Sequence, residues 1–256
     1  MLTVAEVAVS FGGFRALGGV SLQAAPGSIV GIAGPNGSGK STLMDVISGI
    51  RLPDSGEVRL DGRPVPLGRP ELAAAYGIGR TFQVPRLARR LTVLQNMLVG
   101  ARGNAGERLF DLFLLPGRVA EGERRIEAAA IAILRRLGLV HKANDLAGGL
   151  SGGQQKLLSL GMLLMSDPGV LLLDEPAAGV NPVMIEQEVA FLSSLRDEGR
   201  TILLIEHNME MIADLCDLVY VLDAGEVIAE GTPEAIRQDE QVMRSYLGQP
   251  ARDEPA

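Results

Sequence analysis

The sequence predicts an α/β fold in which a mainly parallel sheet carries a phosphate-binding loop, with an antiparallel β subdomain beside it and a helical subdomain inserted. Three observations predict it. First, Gly34-Pro35-Asn36-Gly37-Ser38-Gly39-Lys40-Ser41, with Thr42 behind it, fills the pattern G-x-x-x-x-G-K-[ST]. The run at 28–33 before it reads as a short buried strand, and 42–50 after it is apolar at helical spacing. Second, a wholly apolar run at 170–173 and further buried-strand runs at 201–205 and 218–222 give the pattern of parallel strands covered on both faces. Third, strand signals fade between 84 and 149, where residues 123–137 place Ile126, Ala130, Ile133, Leu134 and Leu137 on one helical face ahead of a Gly138 stop.

Taken in order, Leu2, Val4, Val7 and Val9 form an imperfect alternation, and Val20-Ser21-Leu22 is a second strand candidate. Residues 57–60 followed by Asp61-Gly62 read as a strand entering a tight hairpin. These pieces predict the antiparallel layer. In the loop at 34–41, glycines let successive N–H groups turn inward around a phosphate, and the following helix adds the positive end of its dipole. Lys40 would reach the β- and γ-phosphates and Ser41 would offer a hydroxyl to Mg2+. The chain has only three lysines (Lys40, Lys142, Lys156), which makes a chance lysine at this position improbable. The expected core is therefore that of a P-loop NTPase. Further on, 186–195 is expected to be helical, Thr232-Pro233 is a helix start with proline at the first helical position, and the polar tail 250–256 is expected to fray.

Composition narrows the function. With 256 residues and 46% hydrophobic content the chain can bury a full α/β core. A net charge of −7 argues against coating nucleic acid, which needs a basic face. Cys216 is the single cysteine, so neither a disulfide framework nor a cysteine zinc site is expected. No run reaches the roughly 18–20 apolar residues of a membrane helix, and no charged-then-apolar leader opens the chain. The expectation is a soluble protein free to dock on a membrane partner.

Four apolar residues (170–173) end in Asp174, which places an acid at the carboxyl end of a strand, where open α/β sheets bind ligands. Its expected role is to hold Mg2+. Glu175 follows, positioned to orient and deprotonate the water that attacks the γ-phosphate. Taken alone, the pair would equally suit a helix cap ahead of Pro176. His207 closes the strand 201–206 and suits either contact with the γ-phosphate and attacking water or a structural role. Gln83, after Arg80-Thr81-Phe82, is by itself also consistent with an ordinary loop glutamine. Leu150-Ser151-Gly152-Gly153-Gln154 leads into an apolar helix, with Ser151 as N-cap and a bare, anion-ready N-terminus. A second phosphate cradle in a chain that already has one implies a composite site. In it, Ser151 of one subunit faces ATP held by the other.

With these residues in this order, from Leu2 to about Leu247, the chain resembles the ATP-binding subunits of ABC transporters. Leu150–Gln154 reads LSGGQ, the family's signature. The resemblance implies one ATPase domain over residues 1–256 with a helical subdomain at 84–149. It implies ATP and Mg2+ as ligands, and P-loop contacts from Gly34, Pro35, Asn36, Gly37, Ser38, Gly39, Lys40, Ser41 and Thr42. Phe11 sits where the family stacks an aromatic on adenine. Gln83 sits at the Q-loop, which joins Mg2+ and the nucleophilic water to the membrane-domain interface, and with Ser41 and Asp174 it is implied as a Mg2+ ligand. Glu175 matches the general base and His207 the switch histidine. Ser151, Gly152, Gly153 and Gln154 serve the opposite subunit's ATP. Residues 177–181 occupy the D-loop, with Asn181 where many members carry Asp.

Phe11–Leu17, Arg80–Gln83, Asn96–Gly100 and Asp174–Pro182 resemble branched-chain amino-acid uptake systems. The resemblance implies transmembrane permease subunits, a second ABC ATPase subunit and, indirectly, an extracytoplasmic solute-binding protein as partners. The implied location is peripheral, on the cytoplasmic face of the cell membrane. Gly161-Met162-Leu163 departs from the usual Ala-Arg-Ala, and Gly161-Met162-Leu163-Leu164 is similar to urea or short-chain amide importers, which makes their ATPase the second reading. An ABC ATPase acting on DNA or ribosomes usually adds a coiled coil, cysteine-bound zinc or a tandem cassette. A small-molecule kinase would leave LSGGQ unexplained.

Overall fold

The computed structural model of the chain describes residues 1–101, 116–179 and 182–247. In chain order its elements are β1 (Leu2–Phe11), β2 (Phe14–Ala24), β3 (Ile29–Ala33), α1 (Lys40–Ile47), β4 (Ser55–Leu60), β5 (Arg63–Pro64), α2 (Pro70–Ala75) and β6 (Ile78–Arg80). Then come α3 (Val93–Gly100), α4 (Pro116–Arg136), α5 (Gly152–Leu164), β7 (Val170–Asp174), α6 (Pro182–Asp197), β8 (Thr201–Ile205), α7 (Met209–Leu215), β9 (Leu218–Asp223), β10 (Glu226–Gly231), α8 (Pro233–Gln238) and α9 (Glu240–Leu247). The α/β class with both sheet types is as the sequence predicts.

The chain divides into two compact units. The first holds Met1–Arg80, Gly169–Pro176 and the chain from Leu192 on; the second holds Thr81–Pro168 and Ala177–Phe191. The first contains both sheets. One is antiparallel in the order β2-β1-β4-β5, and the other runs β10-β9-β3-β8-β7-β6. In the latter, β6 to β9 and β3 are parallel, and only β10 returns antiparallel beside β9.

The imperfect alternation of β1 has a structural cause. Its register against β2 shifts between Val4 and Val7, with Glu6 at φ 49, so one extra residue is absorbed and Val7 returns inward. Leu2, Val4, Val7 and Val9 are consequently all buried and join one core with Ile32, Leu43, Ile47 and Leu172. Gly12 and Gly13, both at positive φ, make the two-residue turn that sets Phe11 opposite Phe14. The wholly apolar β3 lies between β8 and β9, so the loop that follows it leaves from the middle of the parallel sheet.

The second unit is mainly helical. Thr92 and Gln95 form a reciprocal capping box at the start of α3. Fully buried Asn96 accepts from the Ala88 N–H at 2.9 Å and donates to the Ala88 and Thr92 carbonyls, pinning the loop before the helix. Ala130, Leu134 and Leu137 on the predicted apolar face are buried, and Gly138 takes φ 69 just past α4, as a helix stop requires. Residues 102–115 of the predicted helical stretch, Asn181 of the D-loop and the tail 250–256 lie outside the described residues.

Candidate active site

The P-loop leaves β3 at Gly34, whose φ of 137 is closed to other residues. A Cβ there would fall on the Leu222 carbonyl and lie 2.9 Å from Ser38 Oγ. Gly39, at φ 105, is equally confined: its Cβ would meet the Ala16 carbonyl at 2.6 Å. The backbone thus curls tightly into α1, which begins at Lys40. Lys40 is 6% exposed, and its Nζ donates to the Gly34 and Pro35 carbonyls, each at 2.8 Å. Burial lowers its pKa, opposed by the nearby carboxylates of Glu175 and Asp174. The lysine is thus a desolvated cation folded onto its own loop, and the acids of β7 and the residue after it oppose that desolvation. Ser38 Oγ is buried and has no hydrogen-bond partner among the described residues.

At the end of β7, Asp174 is 11% exposed at its side chain. Burial raises its pKa, and Arg80 counters part of that rise. Arg80 Nη2 stands 3.6 Å from Asp174 Oδ2, while Nη1 donates to Asp45 Oδ1 at 2.6 Å and to Ser48 Oγ at 3.2 Å. The short strand β6 therefore delivers an arginine that bridges α1 to the acid of β7. Sequence reading missed this pairing, although Arg80 stands in the Arg80-Thr81-Phe82-Gln83 run. A hydroxyl at Ser41 with one desolvated carboxylate at Asp174 is an oxygen donor set that suits a hard divalent cation completed by water and phosphate oxygens. Among the described residues, no three His, Cys, Asp or Glu side chains cluster as a site built by protein alone.

Glu175 takes φ 48, a left-handed conformation that is costly for a non-glycine residue, while its N–H donates to the Ile205 carbonyl at 2.9 Å. That turn brings its Oε1 to 3.1 Å from His207 Nε2, on the segment after β8. A cleft of about 280 Å³ opens here, and its lining includes Phe11, Lys40, Ser41, Glu175 and His207. Phe14, to which the sequence reading gave no site role, lines the same cleft from across the hairpin. The Phe11 ring is covered by the Arg51 guanidinium, 4.3 Å from its centroid, a cation–π contact that steadies the ring. The first unit thus gathers the P-loop, Phe11, Asp174, Glu175 and His207.

Gln83 and the signature belong to the second unit. Gln83 is exposed in the bend after β6. Ser151 caps α5 with a reciprocal box: its Oγ accepts from the Gln154 N–H at 3.3 Å, and Gln154 Oε1 accepts from the Ser151 N–H at 3.1 Å. Ser151 and Gly152 are exposed, with nothing within 4 Å of where a Gly152 Cβ would lie. Lys156 Nζ donates to the Ala178 carbonyl at 2.6 Å, tying the helix to the turn that follows Pro176.

Comparison with known proteins finds relatives over most of the chain. The family model described as ABC transporter matches residues 17–178, and one described as branched-chain amino acid ATP-binding cassette transporter matches 226–252. The chain is 38% identical, over 93% of its length and 91% of the relative's, to the probable branched-chain amino acid transport ATP-binding protein LivG of Archaeoglobus fulgidus. Among solved structures it is similar to a nucleotide-free ATP-binding cassette from an ABC transporter, with a TM-score of 0.85 and 36% identity over 97% of this chain and 99% of that one. It is also similar to the ADP conformation of an ABC-transporter cassette, with a TM-score of 0.82 and 34% identity over the same shares.

Proposed function

The chain belongs to the ABC transporter family, and from that premise we propose that it is the ATP-hydrolysing subunit of an importer of branched-chain amino acids. The observation that carries the reading is the cleft in which one lysine, one strained glutamate and one histidine converge beside a P-loop. ATP lays its phosphates along 34–42, and Lys40 exchanges the Gly34 and Pro35 carbonyls for phosphate oxygens. Phe11 offers the base a π-face. Ser41 and Asp174 would hold Mg2+, which would neutralise phosphate charge. Glu175 takes the proton from the attacking water as its oxygen bonds to the γ-phosphorus and the bond to the β-phosphate oxygen breaks. His207, 3.1 Å from that carboxylate, keeps it and the water in line.

The open N-terminus of α5 is read as the second half of the site. Ser151 to Gln154 of one subunit meet the γ-phosphate held by the other, so ATP closes a dimer and hydrolysis releases it. The match of 226–252 to a model specific to branched-chain amino-acid cassettes, together with the LivG relative, supports the solute class. Partners follow from it: membrane permeases, a second ATPase subunit and, through the permeases, a solute-binding protein outside. That arrangement places the chain peripherally at the cytoplasmic face. No helix among the described residues is long and apolar enough to cross a membrane.

Deleting the chain from its host tests this. Uptake of leucine, isoleucine and valine should fall and return with the wild-type chain but not with Lys40→Ala, which loses the cation nearest the phosphates. Unimpaired uptake of all three, with loss of urea or short-chain amide uptake, would assign a different solute.

A further inference from the structure

We propose that Tyr246, near the end of α9, is a positioning residue of the phosphate loop, so that the C-terminal helix sets how tightly nucleotide is held. The inference rests on reading this cleft as the ATP site. The Gly34 N–H donates to Tyr246 Oη at 2.7 Å, across 212 positions of sequence. The Gly34 carbonyl accepts from Lys40 Nζ at 2.8 Å. The first glycine of the loop is therefore gripped at both of its polar atoms, by a tyrosine on one side and the phosphate-binding lysine on the other. In the proposed function Lys40 exchanges that carbonyl for a phosphate oxygen. Once it does, the tyrosine is the remaining hold on Gly34.

The hold is well founded. Asp239 Oδ1 accepts from the Gln241 and Val242 N–H groups at 2.8 and 3.0 Å, which caps α9, and Val242 is buried. Burial raises the Tyr246 pKa, so the hydroxyl stays neutral at working pH. No side chain at Gly34 can take over, because that position excludes a Cβ. Tyr246 also lies within the stretch matched by the branched-chain cassette model, so this contact joins the segment particular to that class to the loop shared by all P-loop proteins.

Tyr246→Phe keeps the ring and removes the acceptor. Its dissociation constants for ADP and ATP should rise about fivefold, the effect of one lost hydrogen bond. The KM for ATP should rise in step, with kcat in the assembled transporter nearly unchanged and the melting temperature of the nucleotide-free chain held. The chain contains three tyrosines and no tryptophan, so 3-fluorotyrosine labelling gives one 19F resonance each for Tyr76, Tyr220 and Tyr246. The resonance missing from Tyr246→Phe should shift when the wild type is saturated with ADP. Equal ADP affinity in variant and wild type, or a Tyr246 resonance unmoved at saturation, would overturn the proposal. A lower melting temperature with unchanged affinity would overturn it too, leaving the tyrosine a merely structural contact. A wild-type chain that binds no ADP would instead remove the ATP-site reading itself, and this inference with it.

Discussion

At Asp174 the site and the stability of the fold oppose one another. The carboxylate is desolvated at the end of β7, and although Arg80 stands beside it, burial dominates and raises its pKa. An acid whose folded pKa is raised makes the native state less stable where it is ionised. That penalty is relieved as pH falls through the folded pKa toward the unfolded one. Asp174→Asn should therefore melt at a higher temperature than the wild type without nucleotide, lose that pH dependence, and hydrolyse no ATP. A nucleotide-free variant that melts lower would mean that the Arg80 contact outweighs the desolvation. The acids and the histidine were legible in the sequence because a fixed order of motifs carries them. Arg80 was not, because its partners Asp45 and Asp174 are distant in sequence and its strand is three residues long. Phe14 and Tyr246 gave no signal either: one is an exposed hairpin residue and the other a tyrosine 212 positions from its partner.

Among the elements, α5 does more than present Ser151. A Cβ on Gly161 would lie 2.8 Å from Leu137 Cδ1 and 2.9 Å from Met97 Sδ, flexible side-chain ends that can yield. A Cβ on Gly100, at the end of α3, would fall on the Met162 backbone carbonyl, which cannot. Gly161-Met162-Leu163, where the family usually has Ala-Arg-Ala, is thus the stretch against which α3 closes. Gly100→Ala should force α3 away from α5 and destabilise the chain by about 1–3 kcal/mol, the usual result of overpacking. Thermal melting measures it, and an unchanged midpoint would show that the two helices are not so closely held. The sequence announced β3, β7, β8 and β9 because strands buried on both faces are continuous apolar runs. It was silent on β6, β10, α2, α7 and α9. β6 is three residues, β10 is only partly buried, and α2 and α7 are six and seven residues, too short for a helical period to stand out.

For the whole molecule, the first unit gathers the P-loop, Phe11, Asp174, Glu175 and His207, and the second presents a capped helix whose N-terminus is exposed. In the proposed composite dimer that helix would complete the site held by the facing subunit. If Glu175 is the general base, Glu175→Gln keeps the shape but takes no proton, and hydrolysis should fall by roughly 10²–10⁴. ATP binding should survive, since Lys40, Ser41 and Asp174 are untouched.

The composite dimer is tested by size-exclusion chromatography of the Glu175→Gln chain, together with its partner ATPase, in ATP and Mg2+. A closed dimer should accumulate with ATP and return to separate subunits when Ser151→Arg is placed in both facing signatures. Each P-loop should remain loaded with ATP. A doubly substituted pair that still dimerises on ATP, or a Glu175→Gln chain that hydrolyses near the wild-type rate, would contradict the shared site.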